Sequence, residues 1–424
     1  MHVVLVSSIF AGTLFLIMVR PRGLSEAFAA CGGALLMIIT GSVTLPEAVM
    51  VVAHEWNVFG FFLGLMTIAA IADRAQFFDV ISLAAARWAR GSGVRLYLAI
   101  FAIGTLITAV LSNDATALIL TPVVYTLVTR LRLKVLPFMF ACTFIADTAS
   151  FLLPVSNPTN ILILSSFGGS LGEFLRFLFL PSLFCISVNV VIFVWLFRRD
   201  IDLCYDPAAL APLTRSPREQ RFFQFVVVCL MLIAIGYVSA SLVGVPVSFV
   251  ALTGGAVMLV GALIMRQLAW SRLAHDISWP IFAFVGGMFI VIRAIENVGL
   301  TAALGRLVLG NAASSMWSVV RVTFGTAIGA NMINNVPMAL VMVSGLRSQV
   351  GLPPATQTAT VYATIFGAAL GPNLTTVGSL ATMLWLLILR RKGLDISSRE
   401  YLKLGLSVVP IMLLGGALLI ALGW

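Results

Sequence analysis

Apolar runs follow one another along this chain with short loops between them, at roughly 2–19, 25–43, 57–73, 95–129, 135–165, 174–197, 222–241, 246–265, 278–293, 315–346, 356–389 and 404–422. A hydrocarbon core about 30 Å thick takes a helix of about 20 residues, and lipid satisfies no backbone amide or carbonyl. Runs of this length therefore fold as α-helices, and the fold class is an all-α polytopic membrane protein. Composition agrees. Of the 424 residues 60% are hydrophobic and 10% charged, with mean hydropathy +1.08, more apolar surface than a soluble core absorbs. The net charge of +10 sits in short loops between spans, so it reads as topology and not as a nucleic-acid surface.

The remaining composition excludes more than it suggests. Cys31, Cys142, Cys185, Cys204 and Cys229 have no paired spacing and read as small buried hydrophobes, neither disulfides nor a zinc site. His2, His54 and His275 are far apart, so a metal centre has no ligands and no cofactor is called for. The run 2–19 lacks a basic leader and a cleavage site and reads as a spanning helix.

Four runs, at 95–129, 135–165, 315–346 and 356–389, are too long for one untilted crossing and contain polar clusters. If 95–129 and 315–346 are hairpins that return to the side they entered, and the other ten runs cross once, 21 of the 26 Lys and Arg residues share one face. Only Arg176, Arg293, Arg306, Arg321 and Arg347 lie on or near the other. The rich face is then cytoplasmic and both termini are extracytoplasmic.

The loop 198–221 divides the chain almost in half. Across it, Trp56-Asn57-Val58-Phe59-Gly60-Phe61-Phe62-Leu63-Gly64 aligns with Trp279-Pro280-Ile281-Phe282-Ala283-Phe284-Val285-Gly286-Gly287, and Asp73 then falls opposite Glu296. An amphipathic stretch, an Asn-tipped hairpin and a broken helix follow in each half. Five crossings per half set the copies upside down: a first repeat over 1–197 (hairpin 95–132, broken helix 135–165) and a second over 222–424 (hairpin 315–348, broken helix 356–389). That is the inverted-repeat transporter pattern.

Each half supplies two interruptions at membrane depth: Ser112-Asn113-Asp114 and Ser156-Asn157-Pro158-Thr159-Asn160, then Asn334-Asn335-Val336-Pro337 and Gly371-Pro372-Asn373-Leu374-Thr375-Thr376-Val377-Gly378-Ser379. Such segments persist only where they line a protein-enclosed cavity. Broken helices turn the positive ends of their peptide dipoles toward the gap, and Asn, Ser and Thr add donors and acceptors suited to a small anion or hydroxylated solute. Candidate substrate contacts are Asn113, Ser156, Asn157, Thr159, Asn160, Asn334, Asn335, Asn373, Thr375, Thr376 and Ser379. Asp114 and Asp147 are the candidate proton-coupling groups, because an ionised carboxylate is costly away from water. Asp114 is alternatively a helix N-cap, a role its Ser-Asn-Asp context allows. Asp147 lies mid-run, where capping is the poorer account. Asp73 and Glu296 end their helices and are assigned structural roles.

At Ser112–Pro122, Pro154–Leu162, Asn334–Leu340 and Gly371–Trp385 the sequence resembles the arsenite efflux permeases, the ArsB family within the ion transporter superfamily. The resemblance spans essentially the whole chain, and Gly371-Pro372-Asn373-Leu374-Thr375-Thr376-Val377-Gly378-Ser379-Leu380-Ala381-Thr382 distinguishes it from related antiporters and anion carriers. It implies about ten transmembrane helices plus two re-entrant hairpins in the cell inner membrane, and efflux of arsenite or antimonite in exchange for protons. A soluble arsenite-stimulated ATPase is an implied optional partner; the chain itself has no G-x-x-x-x-G-K-[ST] loop.

Arsenous acid is an uncharged trihydroxide at neutral pH, and none of the four interruptions carries Lys or Arg. A sodium/proton antiporter or sodium-coupled divalent-anion transporter of the same superfamily is the alternative. A channel is disfavoured by the broken, repeated halves. An enzyme is disfavoured because no nucleophile, base and orienting group occur together.

Overall fold

The computed structural model describes residues 2–423 apart from 20, 22–23, 207–214, 244, 269–276, 310–314 and 349–352. Of the residues used to assign topology, Arg20, Arg22 and Arg272 lie outside the described residues, as do His275 and the side chain of Arg306. The described chain is helical, with no strand and one isolated bridge, Ser92 to Cys204.

The first half comprises α1 (His2–Val19), α2 (Glu26–Ile39), α3 (Leu45–His54), α4 (Trp56–Arg74), α5 (Phe77–Trp88), α6 (Gly93–Val110), α7 (Asn113–Ala115), α8 (Thr121–Arg130), α9 (Val135–Thr148), α10 (Pro158–Phe167) and α11 (Leu171–Ile201). The second comprises α12 (Pro217–Val243), α13 (Val247–Ile264), α14 (Trp279–Asn297), α15 (Leu300–Leu309), α16 (Ser315–Ile333), α17 (Asn335–Arg347), α18 (Pro354–Leu370), α19 (Leu380–Arg391) and α20 (Ser398–Leu422). The same succession therefore occurs twice: long helix, short helix, two arms about a tip, broken helix, long helix.

Among the described residues seven helices are long and apolar enough to cross a membrane: α4, α6, α11, α12, α13, α14 and α20. Six coincide with expected crossings. The seventh, α6, is the first arm of an expected hairpin, and the chain beyond its tip comes back beside it: α5 packs on both α6 and α8, as α15 packs on both α16 and α17. The remaining crossings are divided between shorter helices, such as α9 with α10 and α18 with α19.

The halves exchange partners. α4 lies along α13, and α14 lies along α2. At each crossing a glycine admits the neighbouring backbone: a Cβ on Gly64 would stand 2.3 Å from the Ala251 carbonyl carbon, and one on Gly287 would stand 2.8 Å from that of Ala30. Both glycines fall eight residues after the Trp of the aligned stretches. Small residues at helix crossings suit a medium where close van der Waals contact replaces the hydrophobic drive.

Inside, α9 is buried all round from Pro137 to Thr148, as a helix apolar on every face must be. Phe140 and Phe144 on α9 meet Phe193, Trp385 and Tyr401 from α11, α19 and α20 in an aromatic block behind the broken segments. Outside, Val228, Met231, Leu232, Ile235, Val257 and Val260 on α12 and α13 are exposed, an apolar face suited to lipid.

Candidate substrate cavity

Four helices begin at one place. Ser112 caps α7, Asn157 caps α10, Asn334 caps α17 and Ser379 caps α19, their side-chain oxygens accepting from the backbone N–H groups of Ala115, Thr159, Val336 and Thr382. Proline at the first position of α10 fits because that amide has no intrahelical partner to lose. Asn113 and Asp114, Asn157 to Thr159, Asn335 and Val336, and Ser379 and Ala381 line a single cavity of about 30 Å³. Both interruptions of both halves thus reach it, and four helix N-termini bring their partial positive charge with them. The lining contains no Lys or Arg.

Asp147 stands in the last turn of α9, just before the break, and not mid-helix as the length of the apolar run suggests. It is buried and does not line the cavity. Its Oδ1 accepts from Asn113 Nδ2 at 3.2 Å, and its Oδ2 accepts from Ser379 Oγ at 3.3 Å and Thr382 Oγ1 at 3.4 Å. One carboxylate therefore joins the hairpin tip of the first half to the break of the second. Beside it Asn373 Nδ2 donates to Phe144 O and Thr148 Oγ1, both at 3.1 Å, a second tie between halves.

Asp114 differs. The cap of its helix is Ser112, so the carboxylate is not needed there, and among the described residues it makes no hydrogen bond. Asp114 and Phe62 are the two residues shared by the central cavity and a second one of about 230 Å³, which extends past Leu65 and Ala69 to Asp73 and Ser278. A third cavity, about 400 Å³, is lined by Glu47, His54, Arg293 and Arg347 and shares no residue with the central one. Of these two larger cavities, the one toward Asp73 is the one that shares lining residues with the central site. Immediately after Asp114 the chain is π-helical over Thr116–Leu120, a loosened winding frequent at functional positions. Thr116 Oγ1 there lies 2.7 Å from Thr108 Oγ1 on the other arm.

Of the eleven anticipated contact residues, Asn113, Asn157, Thr159, Asn335 and Ser379 line the cavity. The others hold unwound backbone in place. Ser156 Oγ donates to Ala109 O at 3.2 Å, Asn160 Nδ2 to Ser150 O at 2.8 Å, and Asn334 Nδ2 to Val377 O at 3.2 Å. Asn373 makes the tie already described, Thr375 Oγ1 donates to Asn331 Oδ1 at 2.7 Å, and Thr376 meets Ser398 at 3.2 Å. These bonds replace the helical partners that the breaks remove. The Oδ1 of Asn335 is buried in the cavity lining and has no hydrogen-bond partner among the described residues.

Sequence reasoning missed Phe62 on α4 and Ile281, Phe284 and Val285 on α14, which complete the lining. A signal was present: the repeat alignment sets Phe62 opposite Val285. It missed Asn331 as well, whose Nδ2 donates to Gly371 O at 2.7 Å and fixes the turn into the second break.

The profile of the arsenical pump membrane protein family matches residues 5–422. The chain is 32% identical over 413 residues to the arsenical pump membrane protein of Escherichia coli strain K12, with 96% of each chain covered. It is 31% identical over 416 residues to that of Yersinia enterocolitica, again with 96% of each covered. Its fold is similar to the crystal structure of the Alcanivorax borkumensis YdaH transporter, with a TM-score of 0.58 at 14% identity over 92% of this chain and 87% of that one. With the family profile running almost from end to end and the fold that of a transporter, the chain belongs to the arsenical pump membrane protein family and is a multi-pass inner-membrane protein.

Proposed function

We propose that this protein expels arsenite and antimonite from the cell in exchange for protons, through two halves of inverted topology with both termini outside. Membership of its family supports an arsenical efflux transporter. The observation that carries the finer reading is the cavity where four helix N-termini meet, lined by Asn, Ser and Thr and by the single carboxylate of Asp114, with no cationic side chain. The cavity, about 30 Å³, is compact. Asn amides and hydroxyls around it offer both donors and acceptors for a compact trihydroxide.

In this reading Asp114, which lines both the central cavity and the one toward Asp73, passes a proton between them, with the Asp73 end on the cytoplasmic side. Asp147 is the second coupling group. Its charge state governs three bonds that span the two halves, so proton binding there biases which face the site opens to. A soluble arsenite-stimulated ATPase at the cationic face is an optional partner that this exchange does not require.

Everted membrane vesicles test the reading. An imposed proton gradient should drive arsenite uptake in sodium-free buffer, and Asp114→Asn and Asp147→Asn should each uncouple it. Strict sodium dependence would defeat the proposal in favour of sodium-coupled transport. Normal proton-driven uptake by both variants would remove the carboxylates from the mechanism.

A further inference from the structure

The central cavity has two unlike sides. Its polar groups all come from the four helix starts, whereas α4 and α14 contribute Phe62, Ile281, Phe284 and Val285 and no polar side chain. The wall is continuous because Phe59 stacks on Phe282 at 6.3 Å and Phe62 meets the same ring edge-on at 6.4 Å. Phe62, Phe284 and Val285 lie inside α4 and α14, where backbone amides are committed to helical bonds, and the Ile281 N–H in the first turn of α14 donates to Ser278 O at 3.1 Å, so the wall offers a ligand no free hydrogen-bonding group. Opposite it, Asn335 Oδ1 and the Asp114 carboxylate are acceptors without partners among the described residues.

From this division we infer that the wall formed by Phe62, Ile281, Phe284 and Val285 sets substrate choice, selecting trihydroxides that are pyramidal. The inference rests on the arsenite reading and deepens it. Arsenous and antimonous acids carry three hydroxyls on one side of the central atom and a lone pair on the other. Seated with the hydroxyls toward the helix starts, such a molecule turns only its soft, undonating face to the aromatic wall. Boric acid is also a small uncharged trihydroxide, but its hydroxyls radiate in one plane. In the same seat at least one O–H meets the wall and loses its water without replacement, which disfavours binding by roughly tenfold or more.

Competition in everted vesicles tests this. For the wild-type protein, arsenite uptake should be inhibited by antimonite and scarcely by boric acid at equal concentration. Val285→Thr places a hydroxyl on the wall with little change of shape and should strengthen boric acid inhibition by about fivefold, the scale of one hydrogen bond. Ile281→Thr, at a separate position, should move the ratio the same way. Boric acid competing as well as antimonite in the wild type overturns the inference, and so does an unchanged ratio in threonine variants that still transport. If neither variant transports, the wild-type ratio decides alone. No arsenite uptake by the wild type would instead overturn the transport reading and this selection with it.

Discussion

The two halves build equivalent tips and load them differently. In each, the hairpin tip is a cap residue followed by two residues that face the cavity: Ser112 then Asn113 and Asp114, and Asn334 then Asn335 and Val336. Asparagine is common to both, but where the first half has a carboxylate the second has an isopropyl group. Asp147, the other carboxylate, also belongs to the first half, although two of its three donors, Ser379 and Thr382, belong to the second. Matching positions thus recur in the two halves, while both of these carboxylates belong to the first.

The largest effect should follow from erasing that difference. Asp114→Val makes the first tip resemble the second and should abolish proton-driven arsenite uptake in vesicles. Val336→Asp added to it should not restore coupling, because Val336 does not line the cavity that leads toward Asp73. Restored uptake would show that the halves are interchangeable.

Next in size is the bridge between the copies. Asp147→Ala strips the acceptor from Asn113, Ser379 and Thr382 in a buried site and should cost about 3 kcal/mol, read as a lower thermal unfolding midpoint of the purified protein. A midpoint unmoved by this change would mean that the two halves are held together elsewhere.

Smaller still are the caps. Asn334 sits at φ 75°, ψ 155°, a region glycine favours, and its side chain accepts from Val336 N and donates to Val377 O. Ser112 has extended backbone at φ 178° and a single capping bond to the Ala115 N–H. Asn334→Ala should therefore cost about 2 kcal/mol, and Ser112→Ala about 1 kcal/mol. Equal costs would place the second tip under no more constraint than the first.

Much of this site was legible because lipid makes polar residues conspicuous. Asn113, Asn157, Asn335 and Ser379 stand out within apolar runs, and only a cavity explains them at that depth. Ser156, Asn160, Asn373, Thr375 and Thr376 stand out equally, yet they do not line the cavity and serve to tie segments together. Sequence cannot separate the two sets, since an amide that grips a ligand and one that ties down a turn have the same composition. Phe62 and Phe284 fail for the opposite reason, being apolar residues in apolar helices. The matched stretches after Trp56 and Trp279 were readable, and the structure gives Gly64 and Gly287 in them the same job: each lets a neighbouring backbone pass. Asp147 was legible as a cost but not as a bridge, because its partners lie 34, 232 and 235 residues away.

The convergence of four helix starts has a consequence for substitution. A share of the electrical character of the cavity is drawn from main-chain dipoles, which a side-chain exchange other than to proline leaves in place. Asn, Ser and Thr at the rim can thus be exchanged one at a time while the pull on electron-rich oxygens survives. Exchange at the rim therefore alters the shape and hydrogen-bonding pattern of the cavity while part of its field stays constant.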